Sequence, residues 1–210
     1  LPFVPGYALV GRVIGRGTGA TLAEGALVFC TGSQKLSANR CWGAHIGHAV
    51  VAESDVYAVP DGVSPHDAVL TKLAAICLRG AKMSRPQPTE TVAVVGLGTI
   101  GHLAARIHAV SGARVVGVDT EQSRADALRR AGLEAVVAAP DAIADTVRTL
   151  IPDGADIVVD ATGYDGAAEQ AMQLARETVW DAPTEAPHVR YLVQGSYPGT
   201  VRFPYDTAFR

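Results

Sequence analysis

The sequence predicts a doubly wound α/β domain preceded by a smaller β-rich region. Three observations carry that reading. From Thr91 onward, short apolar strands alternate with amphipathic helical stretches, the pattern of a parallel sheet covered on both faces. Before about residue 65 the rhythm differs, with short apolar runs broken by Gly and other turn formers. Between the two lies a helix with clear start signals. The expected division is therefore residues 1–64 as a β-rich region, 65–90 as a linking helix and connector, and 91–210 as the α/β domain.

In the first region, residues 8–14, 26–30, 48–52 and 56–59 read as strands, and 15–19 and 31–40 as loops. Pro60-Asp61-Gly62 is a turn signal. Ser64 suits a helix N-cap and Pro65 the first helical position. The helix should run over 65–82 with a break near Lys72, followed by a Pro-rich connector over 84–90. Strands are then expected at 92–95, 114–118, 135–138, 156–160 and 191–194, with helices at 100–111, 121–131, 141–150 and 166–175. Residues 176–188 hold two prolines and no clear period, which predicts an irregular connection. No internal repeat is visible.

Nearly half of the 210 residues are apolar, enough for a buried core. A formal net charge of −3 argues against nucleic acid as a partner, because phosphate binding needs a basic face. The apolar runs, of which 92–95 is typical, are far too short to span a bilayer, and no signal peptide is evident. The expectation is a cytoplasmic protein with no membrane partner. Cys30, Cys41 and Cys77 are odd in number and fit no metal-knuckle spacing, so reduced thiols are expected. His45 and His48 lie in a stretch that reads as extended. On a strand, positions three apart point to opposite faces, which makes them a poor joint metal site. No metal is expected.

Val94-Val95-Gly96-Leu97-Gly98-Thr99-Ile100-Gly101 contains G-x-G-x-x-G in its required context, after an apolar strand and before a helix. Gly96 would make the tight turn, Gly98 would let the backbone approach a pyrophosphate, and Gly101 would let helix and strand pack closely. Leu97, Thr99 and Ile100 complete the loop, whose N–H groups at the helix start would face the phosphates. The acidic residue this Rossmann pattern requires about 20 residues later is Asp119. A carboxylate there accepts hydrogen bonds from the adenosine ribose and repels a 2′-phosphate, which favours NAD over NADP. The alternative role for Asp119 is to cap the helix that follows. Arg124 lies close by and should sit on that helix. Ala161, Thr162 and Gly163 after the fourth strand, and Gly195 and Ser196 after the fifth, would leave room for the nicotinamide end.

The order of these motifs resembles the medium-chain dehydrogenase/reductase superfamily, the group that contains zinc alcohol dehydrogenases, over nearly the whole chain. Residues 4–13, Gly25-Ala26-Leu27-Val28 and residues 57–64 look like passages of its GroES-like catalytic domain. Pro5-Gly6-Tyr7, Val201-Arg202-Phe203 and Ala208-Phe209 look most like its bacteriochlorophyllide a dehydrogenase branch. The resemblance implies a Rossmann domain behind a reduced GroES-like region. It also implies a truncated member, or one with further residues beyond these 210. Where zinc-dependent members read Gly-His-Glu, this chain reads Gly6-Tyr7-Ala8, and the third ligand position falls near Thr71 or Lys72. The four-cysteine structural zinc lobe has no counterpart.

The resemblance therefore implies a zinc-independent, NAD-dependent oxidoreductase acting on a small alcohol or carbonyl compound, as a homodimer joined near residues 191–203. Tyr7 and Lys72, standing where metal ligands would be, become the candidate catalytic residues, with Lys72 able to act as acid or base if desolvated. The plainer roles are a packed core aromatic for Tyr7 and a solvated surface charge for Lys72. Two other readings stay open: a non-redox elimination or epimerisation on the same fold, and a nucleotide-binding protein that has lost its chemistry.

Overall fold

A computed structural model describes residues 3–33, 35–177, 188–200 and 202. The chain divides into two compact units, Leu1–Ala75 and Ile76–Arg210.

In the first unit the strands are β1 (Phe3–Val4), β2 (Leu9–Arg12), β3 (Leu27–Cys30), β4 (Asn39–Arg40) and β5 (Val56–Ala58). They form an antiparallel sheet ordered β2-β3-β5 and a short parallel β1-β4 ladder. The central strand β3 buries Val28, Phe29 and Cys30. Residues 48–52, expected as a strand, adopt none. The reason is local. The buried Ser33 hydroxyl receives the Val50 N–H at 3.1 Å and lies 3.4 Å from the Val50 carbonyl, standing in for a neighbouring strand. Glu53 then opens a short 3-10 turn, and its carboxylate accepts the Thr21 and Leu22 N–H groups. His45 and His48 lie in this irregular stretch, so the strand geometry expected to separate them does not apply. Among the described residues, no three His, Cys, Asp or Glu side chains converge on a metal-sized site.

Ser64 caps α1 (Pro65–Ala68) as expected, its hydroxyl accepting the Asp67 N–H at 3.1 Å. The predicted single helix breaks at Val69 and Leu70, slightly earlier than near Lys72, and resumes as α2 (Thr71–Ser84). The Thr71 hydroxyl holds that break by donating to the Ala68 carbonyl at 2.6 Å.

The second unit runs β6 (Thr91–Val95), α3 (Thr99–Val110), β7 (Arg114–Asp119), α4 (Gln122–Arg130), β8 (Glu134–Val137), α5 (Ile143–Arg148), β9 (Ile157–Asp160), α6 (Asp165–Met172) and β10 (Arg190–Val193). All five strands are parallel, in the order β10-β9-β6-β7-β8. Alternate residues of a strand face opposite sides of the sheet, and both sides are covered. Ala93, Val95, Val116, Val118 and Val158 pack with Val147 and Ala171 on one face. Val92, Val94, Val115, Ile157 and Val159 pack with Ala104 and Leu128 on the other. That double coverage explains why β6 carries no charged residue. The order of the strands reverses beside β6, the position at which open α/β sheets form a ligand crevice. Most of the 176–188 connection lies outside the described residues. No helix among the described residues is long and apolar enough to cross a membrane.

Candidate functional site

The crevice is built by three chain turns at the carboxyl ends of β6, β7 and β9, joined by the turn after β10. After β6 the chain turns at Gly96, whose φ is +85°, in the left-handed region that favours glycine. The Thr162 backbone lies 3.1 Å from where a Cβ on Gly96 would sit. A Cβ on Gly101 would lie 1.7 Å from the Gly96 carbonyl oxygen, so the first turn of α3 fits against the loop only with glycine there. Gly98 is the N-cap of α3, with no side-chain cap and nothing within 4 Å of its Cβ position. The first N–H groups of a helix lack intrahelical acceptors. These features fit a dinucleotide pyrophosphate. Thr99 is exposed. Leu97 is buried and Ile100 packs against the core, so both belong to the loop through their backbone. A Cβ on Gly117 would meet Leu97 Cδ2 at 2.8 Å, which accounts for a glycine inside β7.

Asp119 ends β7 and is buried. One carboxylate oxygen accepts the Leu97 N–H at 2.6 Å and the other the Glu121 N–H at 2.9 Å. Glu121 is the N-cap of α4, so Asp119 supports the start of that helix while also holding the glycine loop. The Arg124 guanidinium approaches the carboxylate at 3.5 Å and is itself about half exposed.

The ends of β9 and β10 meet through a set of residues that sequence reasoning did not assemble. Asp160 is fully buried. Its Oδ1 accepts the Thr162 N–H at 3.0 Å and the Thr162 hydroxyl at 2.7 Å. Its Oδ2 accepts the Tyr191 hydroxyl at 2.7 Å and the Tyr197 hydroxyl. Burial, and next the hydrogen bond to Asp160, push both phenol pKa values above the ordinary tyrosine range. A Cβ on Gly163 would lie 2.7 Å from the Ser196 carbonyl, and one on Gly195 2.8 Å from the Gly163 N. The Ala161-Thr162-Gly163 and Gly195-Ser196 turns thus touch, and the smallness of these residues serves that contact. The tyrosines carried no spacing signal; only the run Gln194-Gly195-Ser196-Tyr197 hinted at them.

Tyr7 is not a core aromatic. It is about half exposed, and its ring stacks on Trp42 with centroids 4.8 Å apart. Trp42 has a φ of +75°, uncommon for a side-chain-bearing residue. Lys72 lies in the first turn of α2 and is partly buried. No hydrogen bond joins Tyr7 and Lys72. Of the motifs used for the finer branch resemblance, Val201, Phe203, Ala208 and Phe209 lie outside the described residues.

A family model described as "Zinc-binding dehydrogenase" matches residues 99–178. The chain is 25% identical over 157 residues to sorbitol dehydrogenase of Bacillus subtilis, an alignment covering 73% of this chain and 44% of that protein. It is 28% identical over 185 residues to an NAD-dependent alcohol dehydrogenase of Sulfurisphaera tokodaii, covering 76% and 53%. The chain thus spans about half the length of these curated relatives. Among solved structures, a zinc-binding dehydrogenase of Sinorhizobium meliloti bound to NADP shares the fold, with a TM-score of 0.79 and 22% identity over 99% of this chain and 66% of that one.

Proposed function

We propose that the chain is a member of the medium-chain dehydrogenase/reductase superfamily, and an NAD-preferring oxidoreductase acting on a small alcohol or carbonyl compound without a catalytic zinc. The observation that carries this is the glycine loop tied to a buried acid: Leu97 donates its N–H to Asp119 beside the open Gly98 cradle. A bound nicotinamide cofactor would supply or accept the hydride. The chain's own part is to hold the pyrophosphate at the start of α3, to offer the Asp119 carboxylate to the adenosine ribose, and to present the closely packed turns at Gly163 and Gly195 to the other end.

Preference for NAD rests on the negative charge of Asp119. Arg124 supports a second reading, because a guanidinium there can receive a 2′-phosphate, and the structural neighbour named above carries NADP. The test is calorimetric titration of the purified protein with both dinucleotides. Tighter NAD binding is expected, and equal or reversed affinities would refute the preference.

The proposed zinc independence rests on Tyr7 and Ala8, which stand where the resemblance places the His-Glu pair. Elemental analysis finding one zinc per chain after dialysis would overturn it. A homodimer, joined along the β10 edge of the sheet, accords with the proposed superfamily and with the place of β10 at the end of the strand order among the described residues. A single monomeric species in light scattering would count against it.

A further inference from the structure

Asp160 is the one fully buried carboxylate at the carboxyl end of the sheet whose partners, among the described residues, are all neutral. Two donors converge on each of its oxygens, and none of them carries a charge. No lysine or arginine among the described residues pairs with it: Arg176 is engaged with Asp156, and Arg190 with Glu90. Asp165, the next acid along the chain, is exposed at the start of α6 and open to solvent screening. The group is therefore a net negative charge inside the protein.

Its place in the sheet decides what that charge can act on. Asp160 pairs with Val95, the last residue of β6 before the glycine loop, and paired strands lie about 4.8 Å apart. Asp119 ends β7 on the opposite side of β6. With the adenosine half of a dinucleotide over β7 and its pyrophosphate at the start of α3, the nicotinamide half would lie toward β9 and β10. The two redox forms of the cofactor differ there by one positive charge, carried by the oxidised ring.

We propose that Asp160 is a fixed anion that makes this site bind the oxidised dinucleotide more tightly than the reduced one. The inference rests on the dinucleotide-binding reading given above. Tyr191, Tyr197 and Thr162 are its positioning residues: they hold the carboxylate in place without cancelling its charge, as a lysine or arginine would. Asp119 is equally an acid at a strand end, but it sits on the adenosine side, where the two redox forms are identical.

The experiment compares Kd values for NAD and NADH, by calorimetry at pH 8, in the unmodified protein, Asp160→Asn and Asp119→Asn. Asp160→Asn should lose the preference for the oxidised form, with the ratio of the two Kd values falling on the order of tenfold, the scale of one unit charge acting across about 10 Å of protein. Asp119→Asn should weaken both forms alike. A ratio unchanged within about twofold in Asp160→Asn would overturn the inference and leave the dinucleotide site standing. Failure of the unmodified protein to bind either form would overturn both. Asn presents an amide nitrogen to two tyrosine donors, so the variant's folding is checked by circular dichroism. If it does not fold, Tyr197→Phe decides, since it removes one neutral donor and keeps the charge. The oxidised-form preference should then hold or grow, and a fall toward parity would overturn the proposal.

Discussion

Replacing Gly101 and Gly98 by alanine, one at a time, separates two demands that the same loop makes on glycine. At Gly101 an added Cβ would lie 1.7 Å from the Gly96 carbonyl oxygen and 2.8 Å from its carbon. Both are backbone atoms, so no side chain can swing aside. Reaching ordinary van der Waals separation requires α3 or the loop to move by more than an ångström. The first of these carries Ala104, Ala105 and His108 into the core, and the loop is fixed by the Leu97–Asp119 hydrogen bond. Overpacking of this kind costs about 1–3 kcal/mol, occasionally more, and backbone on both sides puts Gly101→Ala at about 3 kcal/mol. At Gly98 nothing lies within 4 Å of the Cβ position and φ is −63°, so alanine is tolerated. Its cost is the N-cap preference, below about 1 kcal/mol. The new methyl group would occupy the space assigned to the pyrophosphate. Urea unfolding of the second unit should therefore show a large loss for Gly101→Ala and a small one for Gly98→Ala. Dinucleotide titration should show Gly98→Ala binding at least tenfold more weakly. Wild-type stability in Gly101→Ala, or unimpaired binding in Gly98→Ala, would refute this account of the loop.

Asp119→Ala should weaken NAD binding by about 1–3 kcal/mol, the scale of a hydrogen bond to a charged group, measured by calorimetry; unchanged affinity would remove Asp119 from the site. His108 is fully buried, with Nδ1 donating to the Ala104 carbonyl at 2.8 Å and Nε2 taking the Ser84 hydroxyl at 3.1 Å. Burial holds its pKa below the ordinary histidine value. The unfolded chain then binds the extra proton first, so stability should fall as pH drops below the unfolded pKa of about 6.5. Urea midpoints across pH 5–8 should show that slope, and it should shrink in His108→Gln; an unchanged slope would contradict it. Once a substrate is found, Lys72→Ala should abolish turnover with dinucleotide affinity nearly unchanged, and full activity would make Lys72 a surface charge.

The α/β half of the chain was legible because its signals are local. Each strand from β6 to β9 is a short apolar run bounded by turn residues, and Gly96, Gly98 and Gly101 mark a turn that only that spacing can make. The β-rich half was less so. Residues 48–52 carry a strand-like pattern, but one buried serine hydroxyl, Ser33, meets both backbone groups of Val50 from 17 positions away. No periodicity encodes that contact. Asp160 was legible only as the last position of the strand expected at 156–160, because its partners Tyr191 and Tyr197 come from 31 and 37 positions downstream. The break before α2 fell close to its expected place, but it is set by a Thr71 hydroxyl bond that composition does not announce.

The bond between the Leu97 N–H and Asp119 has a bearing on how this protein could change over generations. The residue that would choose between cofactors is also an internal strut, so a substitution there has two effects at once. Exchanging Asp119 for a neutral residue to admit a 2′-phosphate strands the N–H of Leu97, which is only 3% exposed, at a cost of about 1–3 kcal/mol. That is a substantial fraction of the stability of an ordinary domain. Drift toward the phosphorylated cofactor is therefore steered to the exposed positions beside it, Thr120, Glu121 and Arg124, where charge can be altered without unfastening the loop. On the proposed reading, the acid at β7 would constrain adaptation as much as contact a ligand.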